Sequence, residues 1–134
     1  MQLSPDEAYD ILSRRGVRFL ATPNAYLSAS IDRKIKVGIE LQREVGHANF
    51  YTLDLGDPEA APIILPINPL LGLHTYQAND AAGKLNLTQV QWSMFVALAL
   101  KLYDVYTACD ALSVWLDPFV WLANRDAGAL GATM

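Results

Sequence analysis

The stretch LTQVQWSMFVALALKLYDVYTACDALSVWLDPFVWLA, residues 87–123, decides the fold, because it is almost unbroken apolar sequence with only four charged residues. Thr88 and Gln91 have the spacing of a capping box, in which the Thr88 hydroxyl accepts a hydrogen bond from the Gln91 N–H and the Gln91 side chain reaches back. Leu87 and Trp92 occupy the two positions of a hydrophobic staple. The stretch therefore predicts a long helix that begins at Thr88 and is buried on most of its circumference.

The same pattern places the end of this helix near Leu116, because Asp117 and Pro118 interrupt the helical sequence. A helix of about 29 residues would extend roughly 43 Å. A compact chain of 134 residues has a diameter under about 40 Å. The helix therefore either bends near residues 107–110 or projects and is covered by a second subunit. Asp117 is expected to cap a short terminal helix that runs through Asn124.

A second helix start lies at residues 4–7, Ser-Pro-Asp-Glu, which combine a capping box with a proline at the first helical position. We expect this N-terminal helix to run from Pro5 to Arg15 and to stop at Gly16. Residues 17–21 are typical of a first strand, which Pro23 and Asn24 would end. Residues 25–33 fit either a short strand or a turn.

Residues 34–42 alternate between apolar and polar side chains, and residues 48–55 alternate in the same way, so the two segments predict a β-hairpin. A two-residue turn would place polar groups on the core face. A three-residue loop at residues 44–46 avoids this and puts Gly46 where a left-handed residue is needed. The favoured register pairs Lys36 with Asp54 on the wet face, and Ile35 with Leu55, Val37 with Leu53 and Ile39 with Tyr51 on the core face.

Residues 62–69 contain prolines at both ends and in the middle, which predicts an edge strand or an extended connection. Residues 71–77 form a candidate last strand, and residues 78–86 a polar loop. The expected fold is a single α+β domain over residues 1–134. It consists of an N-terminal helix, an antiparallel sheet of four to six strands, and a long C-terminal helix packed across the sheet, with a short terminal helix after it.

The composition limits the partners. Hydrophobic residues make up 52% of the chain and charged residues 18%, against about 25% charged in an ordinary soluble domain. So few charges predict partial burial in a homo-oligomer. The net charge of −4 argues against nucleic-acid binding. The longest charge-free run in the apolar third, about 16 residues, is too short for a membrane span.

A single cysteine, Cys109, lies among apolar neighbours, and the N-terminal residues lack the apolar core of a secretion signal. Both features predict a reducing, cytoplasmic location.

Three residues are candidates for ligand binding in a pocket between the sheet and the long helix: His74, Tyr76 and Asp110. This interpretation requires their side chains to converge on one cavity. The two histidines lack metal-ligand spacing to acids or to the cysteine, so no metal site is predicted. No GxSxG, P-loop, GxGxxG or HExxH pattern occurs, so no cofactor and no catalytic residue is predicted.

The densest basic cluster and two tryptophans are candidates for contact with a protein partner. The basic residues would contact an acidic partner or a phosphate, and the tryptophans would supply aromatic contact area. A solvated strand face and core packing are the alternative roles of these side chains. The partner-binding candidates are Arg33, Lys34, Lys36, Trp115 and Trp121.

The low charge content, the strongly apolar helix and the lack of a catalytic motif favour a non-enzymatic protein-interaction module. We expect it to be a homodimer formed through the apolar C-terminal helix. One alternative is a small-ligand-binding protein or simple enzyme whose pocket lies between the sheet and the long helix. The other is an acidic inhibitor or viral assembly subunit.

Overall fold

A computed structural model describes residues 2–20 and 30–134. The predicted α+β class and antiparallel sheet are confirmed in this part of the chain. The expectations for residues 21–29, including the end of the first strand near Pro23, lie outside the described residues. The helices are α1 (Pro5–Arg14), α2 (Thr75–Lys84) and α3 (Gln89–Ala108), and the strands are β1 (Ile31–Gln42), β2 (His47–Asp54), β3 (Ile63–Pro66), β4 (Ser113–Leu122), β5 (Ala127–Ala129) and β6 (Ala132–Thr133).

Both predicted capping boxes form. The Ser4 hydroxyl accepts from the Glu7 N–H at 3.2 Å, and the Glu7 carboxylate accepts from the Ser4 N–H at 3.0 Å. The same exchange joins Thr88 and Gln91 at the start of α3, at 3.3 and 3.1 Å. These reciprocal bonds satisfy N–H groups that a helix start otherwise leaves unpaired, which explains why α1 and α3 begin where the sequence predicts.

The six strands pair antiparallel in the order β3-β2-β1-β4-β5, and β6 pairs with β4 beside β5. Of the predicted first strand, residues 17–20 form no strand, and Phe19 makes an isolated parallel bridge with Ala129 of β5. The proline-punctuated segment forms β3 at one edge, as predicted. β1 and β4, which lie about 80 residues apart in the chain, are therefore neighbours at the centre of the sheet.

The β1–β2 hairpin forms, but the predicted register is wrong by one residue. Gln42 pairs with His47, so the loop spans residues 43–46, and Ile39 lies opposite Phe50 instead of Tyr51. The core face of β2 thereby receives Phe50 and Thr52, which are 0% and 1% exposed. The prediction failed because it excluded polar residues from the core face, and Thr52 lies there. The shift places Tyr51 on the opposite face of the sheet.

The predicted long helix is shorter than expected, and the predicted terminal helix is wrong. α3 contains 20 residues and ends at Ala108, and Asp110 follows with a φ of 48°, which no helix continues through. Residues 113–122 form β4, whose Val114 and Leu116 are fully buried. Pairing with β1 outweighs the helical pattern there. No helix of residues 2–20 and 30–134 is long and apolar enough to cross a membrane.

Residues 75–84 form α2, where the sequence suggested the end of a strand and a polar loop. Its three buried alanines, at positions 78, 81 and 82, form a small-residue face that packs on α3. The Trp92 indole N–H donates to the Asn79 side-chain oxygen at 2.6 Å and ties the two helices together. Both helices contribute to the core on one face of the sheet, and the side of α3 that faces this core is buried within a single chain.

A second, smaller cluster lies on the opposite face of the sheet, where Leu20 packs with Val120 and Leu122 of β4. It covers only one end of that face. The rest of the face is not covered by a helix of the described part of the chain. This open area carries the candidate site.

Candidate functional site

Three neighbouring strands present aromatic and charged side chains on the open face of the sheet. At its centre Gly38 of β1 pairs with Tyr51 of β2 on one side and with Trp115 of β4 on the other. The two rings stack with their centroids 5.5 Å apart and their planes at 28°. A Cβ at position 38 would overlap the Trp115 ring, so the glycine is what lets the indole lie against the backbone.

Lys36 and Asp117 lie beside this aromatic pair. The Lys36 ammonium is 5.0 Å from the centroid of the Trp115 ring, within cation–π range. It is also 3.8 Å from the Asp117 carboxylate, and the two side chains are 41% and 51% exposed. An exposed pair of this kind contributes little to stability and rearranges readily. We call Lys36, Tyr51, Trp115 and Asp117 the platform.

The Tyr51 hydroxyl is held in place from within the sheet. It accepts hydrogen bonds from the side-chain amides of Gln42 and of Asn49, the latter at 3.3 Å. Both donors are half-buried residues of the same hairpin. Because the hydroxyl is anchored, the Tyr51 ring keeps its orientation against Trp115.

Arg33 of the basic cluster faces the other way and holds the fold together. Its guanidinium donates to the Asp54 carboxylate at 3.2 Å, to the Leu85 carbonyl at 2.8 Å and to the Asn86 carbonyl at 3.4 Å. Asp54, predicted to face Lys36, is thus paired with Arg33, and both side chains are mostly buried. The guanidinium joins β1 and β2 to the end of α2.

The remaining partner-binding candidates lie in different parts of the structure. Lys34 is exposed on β1, opposite Val120. Trp121 is 3% exposed and packs edge-to-face on Phe119, with ring centroids 5.0 Å apart. Its indole N–H has no hydrogen-bond partner among the described residues. Of the five candidates, Lys36 and Trp115 are the two that meet on the platform.

The ligand-binding candidates lie in another region. His74 and Tyr76 stack at the start of α2 with centroids 5.4 Å apart, and the His74 N–H donates to the Gln77 side chain at 3.0 Å. Asp110 lies in the turn after α3. None of the five surface cavities found along the described ranges is lined by His74, Tyr76 or Asp110. A pocket formed by these three residues stays a prediction.

Sequence reasoning missed Tyr51, Asp117 and Gly38 as members of one site. The wrong register buried Tyr51, and the wrong helix placed Trp115 and Asp117 far from β1. One signal was present: a glycine in the middle of an alternating strand often marks a close approach of another group to the backbone. Gly38 is such a glycine, and the approaching group is the Trp115 indole.

The chain is similar in sequence to a known protein family and to several curated proteins. Residues 19–121 match a family model described as ATP-grasp domain. The chain is 35% identical over 109 residues to the succinate–CoA ligase [ADP-forming] subunit beta of Aquifex aeolicus, covering 81% of this chain and 27% of that protein. It is 28% identical over 141 residues to the same subunit of Chlorobium phaeovibrioides, covering 87% and 35%.

A solved structure has the same fold. ATP citrate lyase from Methanothrix soehngenii, in complex with citrate and coenzyme A, superimposes with a TM-score of 0.58 at 13% identity, over 96% of this chain and 32% of that chain. This likeness concerns the fold alone. The chain spans about a third of the length of the curated relatives it matches.

These matches overturn the expectation of a non-enzymatic interaction module. The curated relatives are named as subunits of a ligase, and the matched family is named for ATP. The helix also differs from that expectation, because α3 ends at Ala108 and its core-facing side is buried within the chain. With most of its length matched by the family model, the chain belongs to the ATP-grasp domain family.

Proposed function

We propose that this chain forms part of an ATP-dependent acid–CoA ligase and that its platform contacts the nucleotide. The relatives are named as ADP-forming succinate–CoA ligase subunits. The observation that carries the proposal is the position of Trp115, whose ring lies against Gly38 and stacks on Tyr51, on a sheet face that no helix of residues 2–20 and 30–134 covers. A flat aromatic surface of this kind is what a purine base stacks on.

The interaction energies favour replacement of the Lys36 ammonium by a nucleotide base at the platform. A base stacked on an aromatic side chain contributes about 1–3 kcal/mol, whereas an exposed cation–π contact contributes about 0.5–1 kcal/mol. A base can therefore replace the Lys36 ammonium over the Trp115 ring. The released ammonium, on a flexible four-carbon stem, then reaches a phosphate of the same nucleotide and forms a charge-assisted hydrogen bond.

Titration calorimetry of ATP, ADP and adenosine with the full chain tests this assignment. Trp115→Leu should weaken the binding of all three ligands by about tenfold, because each of them carries the base. Lys36→Met should weaken ATP and ADP but not adenosine, because only the first two carry phosphate. Circular dichroism would confirm that both variants fold.

Lys84→Met is the matched control, since Lys84 also pairs with an aspartate, Asp80, at 3.1 Å, but on the exposed side of α2. It should bind all three ligands like the wild type. Unchanged affinities in a folded Trp115→Leu variant would exclude the platform as the nucleotide contact.

We also propose, from the names of the relatives, that a small carboxylic acid of the succinate class and coenzyme A are the co-substrates. The same names, which call the relatives subunits, lead us to propose that the chain contacts another polypeptide. Exposed apolar residues support contact with another polypeptide: Leu70, Leu71 and Tyr76 are 91%, 67% and 69% exposed. The expected homo-oligomer and cytoplasmic location stay predictions. Sedimentation velocity of the full chain tests the first, and a sedimenting monomer at high concentration would exclude it.

A further inference from the structure

A cavity of about 240 Å³ lies beside α3, on the side of the sheet opposite the platform. It is bounded by the residues that follow α1, by one side of α3 and by the strands β4 and β5. Two small residues help to keep it open, because Ala97 of α3 has a short side chain and Gly16 has none. The cavity is smaller than the roughly 300–1,000 Å³ of sites for drug-sized ligands, so its size suits a short chain. The larger apolar residues that line it are Val17, Met94, Leu98 and Phe119.

The charges that line this cavity are positive. Arg18 and Lys101 are lining residues, and none of the described residues around the cavity is acidic. The Arg18 guanidinium is already neutralised, since it donates to the Asp126 carboxylate at 3.1 and 3.0 Å. Lys101 is therefore the cation that is available to an anionic ligand.

The Lys101 ammonium lies at the wall of the cavity without a counter-charge. A Cβ placed on Gly16, which also lines the cavity, would come within 3.2 Å of the ammonium nitrogen. The side chain is half-buried, and within residues 2–20 and 30–134 the ammonium has no hydrogen bond or ion pair. A half-buried ammonium has lost part of its hydration, so an anion that binds it restores a favourable interaction. The alternative role of this ammonium is to stabilise the negative end of the α1 dipole.

We infer that this cavity binds an apolar monocarboxylate, a short fatty acid, with the carboxylate on the Lys101 ammonium and the hydrocarbon chain between α3 and Phe119. The charge complementarity accounts for one end of the ligand and the apolar walls account for the other. A dicarboxylate fits less well, because its second charge would be buried without a partner. The inference is independent of the proposed nucleotide contact, since the cavity and the platform lie on different faces of the sheet.

Titration calorimetry of the full chain with butanoate, hexanoate and octanoate tests the apolar part of the site. Each added methylene that enters the cavity should tighten binding by about three- to fourfold, until the cavity is full. Octanol tests the charged part. It should bind about tenfold more weakly than octanoate, because it has the same chain and no negative charge.

Two substitutions assign the signal to this cavity. Lys101→Met should lower the affinity for octanoate to that for octanol and leave octanol binding unchanged, because it removes only the ammonium. Ala97→Leu, at an exposed position of α3, should weaken both ligands about tenfold, because its side chain fills the cavity. Lys84→Met, on the exposed side of α2, is the matched control and should bind both ligands like the wild type.

Equal affinities for octanoate and octanol would overturn the inference, as would an octanoate affinity that Lys101→Met leaves unchanged. Urea denaturation identifies the alternative role of the ammonium. If Lys101→Met lowers the free energy of unfolding but binds octanoate like the wild type, the ammonium stabilises the end of α1 and does not bind a ligand. Absence of octanoate binding to the wild type would refute the site, and the nucleotide contact would stand.

Discussion

Gly38 of β1 and Trp115 of β4 pair across the sheet, and the indole occupies the space that a side chain at position 38 would need. An alanine there would overlap both the ring and the backbone carbonyl oxygen of Val114. A flexible side chain can move away, but a strand carbonyl cannot. Gly38→Ala should therefore lower the free energy of unfolding by about 1–3 kcal/mol, measured by urea denaturation, and should weaken nucleotide binding.

Gly56→Ala is the control for this substitution. The new methyl group would meet the Asp54 carboxylate at 3.3 Å and no strand backbone. Its free energy of unfolding should stay within about 0.5 kcal/mol of the wild type. A Gly38→Ala variant as stable as Gly56→Ala would contradict the close approach of Trp115 to β1.

The starts of α1 and α3 were predictable because their signals are local. A capping box needs two residues three positions apart and no information from the rest of the chain. Ser4 with Glu7 and Thr88 with Gln91 both fulfil this condition, and both form. The ends of elements depend on more distant neighbours, which is why the end of α3 was misplaced.

The Thr88 cap yields a second prediction. Thr88→Ala removes the acceptor for the Gln91 N–H at the start of α3, where Gln91 itself is 5% exposed. Losing a cap of this kind costs about 1 kcal/mol, within a range of about 0.5–2 kcal/mol. Thermal and urea denaturation would measure it. Ser93→Ala, one turn later on the exposed side of α3, should change stability by less than about 0.5 kcal/mol.

Arg33 yields a third prediction, which separates a structural role from a partner-binding one. Arg33→Met leaves the mostly buried Asp54 carboxylate and the Leu85 carbonyl without their donor. We expect a loss of about 2–4 kcal/mol in the free energy of unfolding. Lys34→Met, at the exposed neighbouring position, should change it by less than about 0.5 kcal/mol.

A double-mutant cycle checks the cause of the Arg33 effect. If the ion pair is responsible, Asp54→Asn combined with Arg33→Met should cost clearly less than the sum of the two single changes. Additive costs would show that the carbonyl contacts of Arg33, and not its pair with Asp54, dominate.

β4 and the hairpin register could not be predicted from local sequence. Residues 113–122 continue the apolar pattern of α3, and what makes them a strand is their pairing with β1, far away in the chain. The predicted hairpin register was wrong because of one residue, Thr52. It is 1% exposed, and its hydroxyl has no hydrogen-bond partner among the described residues. The rule that polar groups avoid a core face is broken at this position, and the platform depends on that register because it turns Tyr51 outward.

The last prediction concerns acid stability. The Arg18 guanidinium donates two hydrogen bonds to the Asp126 carboxylate, at 3.1 and 3.0 Å, and these hold the pKa of Asp126 below its ordinary value of 3.8. The folded state therefore binds the proton less readily than the unfolded state. The resulting stabilisation is fully present above pH 3.8 and disappears as the pH falls through the pKa of the folded state.

Urea denaturation of the wild type and of Asp126→Asn across this pH range measures the effect. The wild type should be the more stable protein near neutral pH, and the difference should shrink as the pH falls below 3.8. Asp80→Asn is the control, because Asp80 pairs with Lys84 on the solvent-exposed side of α2, where both side chains are more than half exposed and water screens the charges. Its difference from the wild type should stay small at every pH. The difference in the free energy of unfolding between the wild type and Asp126→Asn could instead stay constant with pH. That result would show that the amide replaces the carboxylate in the Arg18 contact and that the charge of Asp126 contributes nothing to stability.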